Sequence, residues 1–251
     1  MKKMLNTLYV TTPNCYLSLD GQNIVLKDDG EELGRVPLHN IQSIVSFGYK
    51  GVSPALMGAC AEKNIRLAFC TMNGKFLAES VGTINGNVIL RREQYRIADD
   101  AIRSLIIARN FITGKIFNAK WVIERACRDY PMRIDKEKLK SKSQFLSQSI
   151  TAARNAKSLD ILRGVEGEAA SVYYSIFDDL ILRQKDDFKF GRRNKRPPMD
   201  KVNAMLSFAY SLLAGMCASA LQTVGLDPYV GFMHTDRPGT QQPRAGPARG
   251  L

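Results

Sequence analysis

The sequence predicts an α+β protein in which a β-rich N-terminal domain precedes an all-α domain. Short β-prone runs separated by turn signals such as Pro13-Asn14 and Asp20-Gly21 occupy roughly the first third of the chain, and apolar residues recur at helical spacing after it. The predicted domains are 1–90, β-rich, and 91–239, helical, followed by an aberrant tail over 240–251. A chain of 251 residues with 45% hydrophobic content is long enough to bury two such cores.

The β-rich domain is predicted to contain seven strands and one short helix. The strands are expected over 7–11, 16–19, 23–26, 33–38, 41–47, 66–70 and 74–78. The helix is expected over 53–62, because Ser53 can cap its first turn and Pro54 suits the first helical position. No group of residues in this domain suggests chemistry.

The helical domain is predicted from apolar periodicity. One amphipathic helix is expected from about 91 to 130, and a polar segment over 135–142 joins it to the next helix or opens that helix. A further helix begins near Leu162 and runs on through Leu182. Asp200 is expected to cap a long apolar helix over 202–223, which Gly225 ends.

The charge balance predicts a polyanionic partner. Lys and Arg number 36 against 24 Asp and Glu, a net charge of +12, which favours nucleic acid, although an anionic membrane surface also fits the charge. We expect no membrane partner, because we expect no apolar run to approach the roughly 20 residues that span a bilayer. Five scattered cysteines without a CxxC pair indicate reduced thiols and a cytoplasmic protein, and they make a zinc site improbable.

Two basic regions are candidates for phosphate contacts. The first lies on the helical face of 91–120 and the second in the basic loop 183–196, where two phenylalanines interleave with the cations. The candidate residues are Arg91, Arg92, Lys115, Lys120, Arg192, Arg193, Lys195 and Arg196. The alternative interpretation is a solvated helix face and a disordered linker.

One carboxylate and one imidazole stand at glycine-flanked positions. Glu166 lies between Gly164 and Gly167, which have no Cβ and so let a ligand or another backbone approach closely. From the residues alone, Glu166 is more often a solvated side chain in the first turn of a helix, stabilised by the helix dipole, than a metal ligand or catalytic group. His234 ends an apolar segment beside Gly231, and a lone histidine in that position is more often a hydrogen-bonded core residue than a ligand.

Several ordered motifs together resemble the universal CRISPR-associated spacer-acquisition integrase family, close to its subtype I-C branch. The motifs are Glu166-Gly167 with the following Ala-Ala and Tyr, and the stretches 202–210, 225–234, 38–40, 53–56 and 91–95. The resemblance implies a β domain used for dimerisation and an all-α domain that holds a metal site. It places Glu166 and His234 among the catalytic metal ligands, and a carboxylate with an imidazole suits Mn²⁺ or Mg²⁺.

The activity that this resemblance implies is metal-assisted attack on a DNA phosphodiester. The nucleophile is a 3′-hydroxyl in integration and water in nuclease action, and a bound ion polarises the phosphoryl oxygen in both. The resemblance also implies DNA, a homodimer and a small companion adaptation protein as partners.

The tail departs from the family pattern. The family continues past the histidine as an apolar helix with a third acidic ligand, whereas 240–251 carries two prolines and two glycines, and no Asp or Glu follows Asp236. A reading frame shifted by one base would restore such a helix, and on that alignment Arg249 of this chain stands where the acidic ligand is expected. We therefore expect a truncated or frameshifted chain, and two functions stay open: an endonuclease/integrase, and a catalytically impaired DNA-binding remnant.

Overall fold

A computed structural model describes residues 6–80, 82, 87–195 and 197–233, and it confirms the α+β class. The strands are β1 Thr7–Val10, β2 Cys15–Asp20, β3 Asn23–Asp28, β4 Glu31–Pro37, β5 Ser43–Ser46, β6 Arg66–Cys70 and β7 Phe76–Ser80. The α-helices are α1 Pro54–Glu62, α2 Val88–Asp99, α3 Ala101–Asp129, α4 Lys136–Asn155, α5 Leu159–Ser175 and α6 Lys201–Thr223. Two 3-10 helices cover Leu38–Asn40 and Asp178–Leu180.

The chain divides into two compact units between Gly86 and Asn87, and Gln222–Gly225 group with the first unit. The first unit holds two sheets. In the four-stranded sheet β1 and β6 flank β5 in parallel and β7 pairs antiparallel with β6, while β2, β3 and β4 form an antiparallel meander. The Ser53 side chain accepts a hydrogen bond from the Leu56 N–H at 3.2 Å, so α1 begins as its sequence predicts.

The second unit is built around α3, α4 and α5, which bury one apolar core. Its largest fully buried side chains are Ile112, Ile123, Leu139, Leu146, Leu162 and Ile176, each at most 1% exposed. The single helix predicted over 91–130 is in fact two helices, because Asp100 adopts extended backbone between α2 and α3. Its carboxylate accepts from the N–H groups of Ile102 and Arg103, so this residue caps α3 and breaks the helix at the same point.

Helix α5 begins earlier and ends earlier than its sequence suggests. Ser158 caps it by accepting from the Ile161 N–H at 3.2 Å, and Glu166 is therefore the eighth residue of the helix. The expectation of a first-turn position was wrong, and the helix dipole has little effect that far from the terminus. The helix ends at Ser175 instead of continuing through Leu182.

Helix α6 corrects the expectation that no apolar run approaches the length that spans a bilayer. It spans 23 residues, and its most apolar 18-residue window has a mean hydropathy of 1.6, which is enough by length and composition to cross a bilayer. No residue of that window is buried within the described part of the chain, and a single helix of this kind is weak evidence for a membrane.

Candidate functional site

The central feature of the helical unit is an ion pair between α3 and α5. Lys115 Nζ donates to Glu166 Oε1 at 2.5 Å. The side chains are 22% and 24% exposed, so the pair is mostly withdrawn from water but still reachable from it. The carboxylate predicted as a ligand thus lies at an accessible edge of the core, with a cation beside it.

A second contact leads from α5 to the chain that precedes His234. Arg163, which lies one helical turn before Glu166, donates from Nε to the main-chain carbonyl of Met233 at 3.0 Å. The Met233 side chain also packs against the helical core. His234 itself lies outside the described residues, so its pairing with Glu166 stays a prediction, but the residue before it is attached to the helix that carries Glu166.

The other end of this segment is attached to α2. The Gln94 side chain donates to the main-chain oxygen of Asp227 and accepts from its N–H, both at 2.8 Å. The Tyr95 hydroxyl donates to the Asp227 carboxylate at 2.6 Å, and this hydrogen bond raises the pKa of Tyr95. Sequence reasoning missed these residues, although both stretches were among the motifs that carried the resemblance.

The two glycines that flank Glu166 face open space. A Cβ placed on Gly164 or Gly167 would meet no heavy atom within 4 Å in the described part of the chain. Neither glycine is therefore needed for packing among the described residues. The space that their missing side chains leave stays available to a ligand, as their presence in the sequence suggested.

Two tyrosines follow on α5 and are held in their protonated form. Burial raises the pKa of Tyr173 to about 12. Burial and a 3.2 Å contact between the Tyr174 and Tyr210 hydroxyls raise the pKa of Tyr174 as well. Neither phenol is therefore a base near neutral pH.

Some of the predicted phosphate-binding residues are exposed, and others are half-buried or paired with another side chain. Arg92, Arg192 and Lys195 are exposed, Arg91 and Lys120 are half-buried, and Arg196 lies outside the described residues. Lys115 is engaged by Glu166. These placements leave the DNA-contact assignments as predictions.

Arg193 differs from its neighbours because its guanidinium is used inside the fold. Its Nη1 donates to Asn203 Oδ1 at 2.8 Å and to the main-chain oxygen of Asn194 at 2.6 Å. The guanidinium carbon also lies 5.6 Å from the centre of the Tyr210 ring. Because Asn203 is completely buried, Arg193 ties the basic loop to the start of α6, and it is not a freely exposed phosphate contact.

The donor chemistry fits a hard or borderline divalent cation. In the part of the chain that the structure describes, no three His, Cys, Asp or Glu side chains come close enough to hold a metal together. Glu166 supplies one anionic oxygen, and the chain after Met233 would supply the imidazole of His234. Carboxylate oxygen with imidazole nitrogen is a donor set that Mn²⁺ accepts readily and that Mg²⁺ accepts with water.

Known structures share this architecture. A casposase bound to an integration product superposes with a TM-score of 0.74 at 24% identity, covering 98% of this chain and 68% of that one. A Cas6-RT-Cas1–Cas2 complex superposes with a TM-score of 0.71 at 21% identity, covering 100% of this chain and 26% of that one. At these identities the likeness shows the fold, which is that of two-domain α+β proteins with a helical C-terminal part.

Sequence comparison then gives the family. The model for "CRISPR associated protein Cas1" matches residues 8–242. CRISPR-associated endonuclease Cas1 1 of Chlorobaculum tepidum is 45% identical over 239 residues, which cover 95% of this chain and 70% of the relative. The chain belongs to the Cas1 family, and by family it is a nuclease.

Proposed function

We propose that this chain is a metal-dependent DNA endonuclease of CRISPR adaptation that inserts spacers by phosphodiester transesterification. The observation that carries the proposal is the position of Glu166, a mostly withdrawn carboxylate whose helix also anchors the main chain at Met233. The family relatives are named endonucleases, and a neighbour by fold is bound to an integration product. Both support a reaction at a phosphodiester.

In this mechanism Glu166 and His234 hold Mn²⁺ or Mg²⁺. The bound ion would polarise a phosphoryl oxygen and stabilise a 3′-hydroxyl or water nucleophile. Arg163 positions the chain that bears His234 through the Met233 carbonyl. The exposed cations Arg92, Arg192 and Lys195 bind the phosphate backbone without reading its sequence.

The partners follow the same proposal. DNA is the substrate, the chain acts as a homodimer through its β-rich unit, and a small Cas companion completes the assembly in the cytoplasm. A structural neighbour is a complex that contains Cas1 and Cas2, which supports a Cas partner for this fold. The net charge of +12 supports DNA.

Substitution of the carboxylate tests the proposal. Glu166→Gln should abolish Mn²⁺ binding measured by calorimetry and Mn²⁺-dependent cleavage of a DNA duplex. Glu168→Gln is the matched control, because Glu168 is an exposed residue of the same helix. Cleavage that persists in Glu166→Gln and resists a chelator would overturn the metal mechanism.

The impaired DNA-binding remnant stays the second candidate. Residues 237–251 contain no Asp or Glu and so offer no third anionic ligand, and a site with fewer anionic ligands binds a divalent cation more weakly. The same calorimetry decides between the two functions. Duplex DNA binding without measurable Mn²⁺ binding identifies the remnant.

A further inference from the structure

Lys115 pairs with the carboxylate of Glu166, the residue that we propose as a metal ligand. It projects from α3 beside Ile112 and Ile116, which are 1% and 2% exposed and fix this turn of the helix in the core. Its ammonium lies 2.5 Å from Glu166 Oε1. In the described part of the chain Glu166 is its one hydrogen-bonding partner. The contact therefore joins two helices that contribute to the same apolar core.

If one carboxylate oxygen binds both the ammonium and a divalent cation, the arrangement is unfavourable in free energy. Two cations placed a few ångströms apart repel each other, and that repulsion is stronger where water is largely excluded. A lysine side chain resolves the conflict easily, because its four-carbon stem is flexible and its three donors accept many partners. An arginine, with its planar fork, would have fewer alternative positions.

We propose that Lys115 is an exchangeable counter-ion of Glu166, which a divalent cation displaces and which then binds a DNA phosphate oxygen. The inference rests on the proposed function, since it takes Glu166 to be a metal ligand. It couples the binding of metal to the binding of DNA. Metal loading frees a cation for DNA, and by thermodynamic reciprocity bound DNA strengthens metal binding.

The first test is a Mn²⁺ titration of the full chain. Lys115→Met removes the competing charge at similar length and should bind Mn²⁺ about tenfold more tightly than the unmodified protein. Lys115→Arg keeps the charge and should not show the gain. Lys120→Met is the matched control, because Lys120 is half-buried on the same helix and lies near Glu124 instead of Glu166.

The second test is made without metal, and it measures whether a Lys115 ammonium that no carboxylate holds raises the affinity for DNA. Duplex DNA affinity is measured by fluorescence anisotropy with a chelator present. Glu166→Gln should bind DNA several-fold more tightly than the unmodified protein, because Lys115 is no longer held by a carboxylate. The double variant Lys115→Met/Glu166→Gln should lose that gain.

The outcomes separate the two proposals. If the unmodified protein binds Mn²⁺ and Lys115→Met binds it no more tightly, the exchange is overturned while the metal site stands. If neither binds Mn²⁺, the metal function itself is overturned. If Glu166→Gln does not gain DNA affinity, or if the double variant keeps the gain, the release of Lys115 to phosphate is refuted.

Discussion

Arg163 donates a hydrogen bond to the main-chain carbonyl of Met233, and this contact joins α5 to the residue before His234. The two residues are 70 positions apart in sequence. The guanidinium also pairs with the Asp160 carboxylate, which is 88% exposed. The helix that carries one predicted ligand therefore also holds the main chain next to the other.

The first prediction concerns this contact. Arg163→Ala should weaken Mn²⁺ binding by about tenfold or more, because groups that orient metal ligands commonly carry effects of that size. Arg163→Lys keeps a donor and should recover part of the affinity. Asp160→Asn is the control, since it removes the exposed partner and leaves the bond to Met233. Equal Mn²⁺ affinity in Arg163→Ala and the unmodified protein, measured by calorimetry, would contradict a positioning role.

The second prediction concerns the clamp between α2 and the segment after α6. Gln94 is 5% exposed, and it satisfies both main-chain groups of Asp227. Gln94→Ala should lower the free energy of unfolding by about 2 kcal/mol, because it leaves the main-chain N–H and carbonyl of the half-buried Asp227 unpaired. Tyr95→Phe removes one exposed hydrogen bond and should cost less. Denaturant midpoints with unchanged slopes provide the measurement, and a smaller loss for Gln94→Ala than for Tyr95→Phe would count against the clamp.

The third prediction separates two adjacent arginines of the basic loop. Arg193→Ala should destabilise the protein by about 1–2 kcal/mol, because the buried Asn203 Oδ1 loses one of its two donors and keeps only the Asn194 N–H. Arg192→Ala should leave stability unchanged and weaken duplex DNA binding, with the salt dependence of binding reduced by about one charge. Thermal unfolding and anisotropy at several salt concentrations measure the two effects. The assignment fails if the two variants behave alike in both measurements.

The fourth prediction is a pH dependence. The folded-state pKa of Tyr173 is raised to about 12. A raised pKa means that the neutral phenol contributes stability below the unfolded-state pKa near 10, and that this contribution is lost as the pH rises toward the folded value. From pH 8 to 11 the free energy of unfolding should therefore fall by about 1 kcal/mol more in the unmodified protein than in Tyr173→Phe. Parallel loss in the two proteins would show that Tyr173 is not the group that titrates.

Local signals in the sequence predicted much of the fold correctly. Ser53 and Pro54 mark the start of α1 because a cap and a first-position proline act within one turn. The break at Asp100 was missed because apolar spacing continues across it, and spacing alone does not reveal a cap inside a periodic run. The start of α5 was missed in the same way, since the glycines around Glu166 suggested a helix start that Ser158 provides.

The site was less predictable, because its contacts join distant parts of the chain. Lys115 and Glu166 are 51 residues apart, and Gln94 and Asp227 are 133 apart. Periodicity shows which face of a helix is apolar, but it does not show which neighbouring helix that face meets. The family resemblance supplied the identity of Glu166, whereas Lys115, Arg163 and Gln94 acquire their roles at the site from the packing of α2, α3 and α5.

The glycines on either side of Glu166 have a consequence for local opening of the fold. Each glycine in a helix interior destabilises the helix by about 1 kcal/mol relative to alanine, and packing among the described residues does not offset this loss. The middle of α5 should therefore exchange its amide hydrogens through local fluctuations that α4, which contains no glycine, resists. A carboxylate on such a helix can adjust to an incoming ion at little cost, and ion binding should slow that exchange.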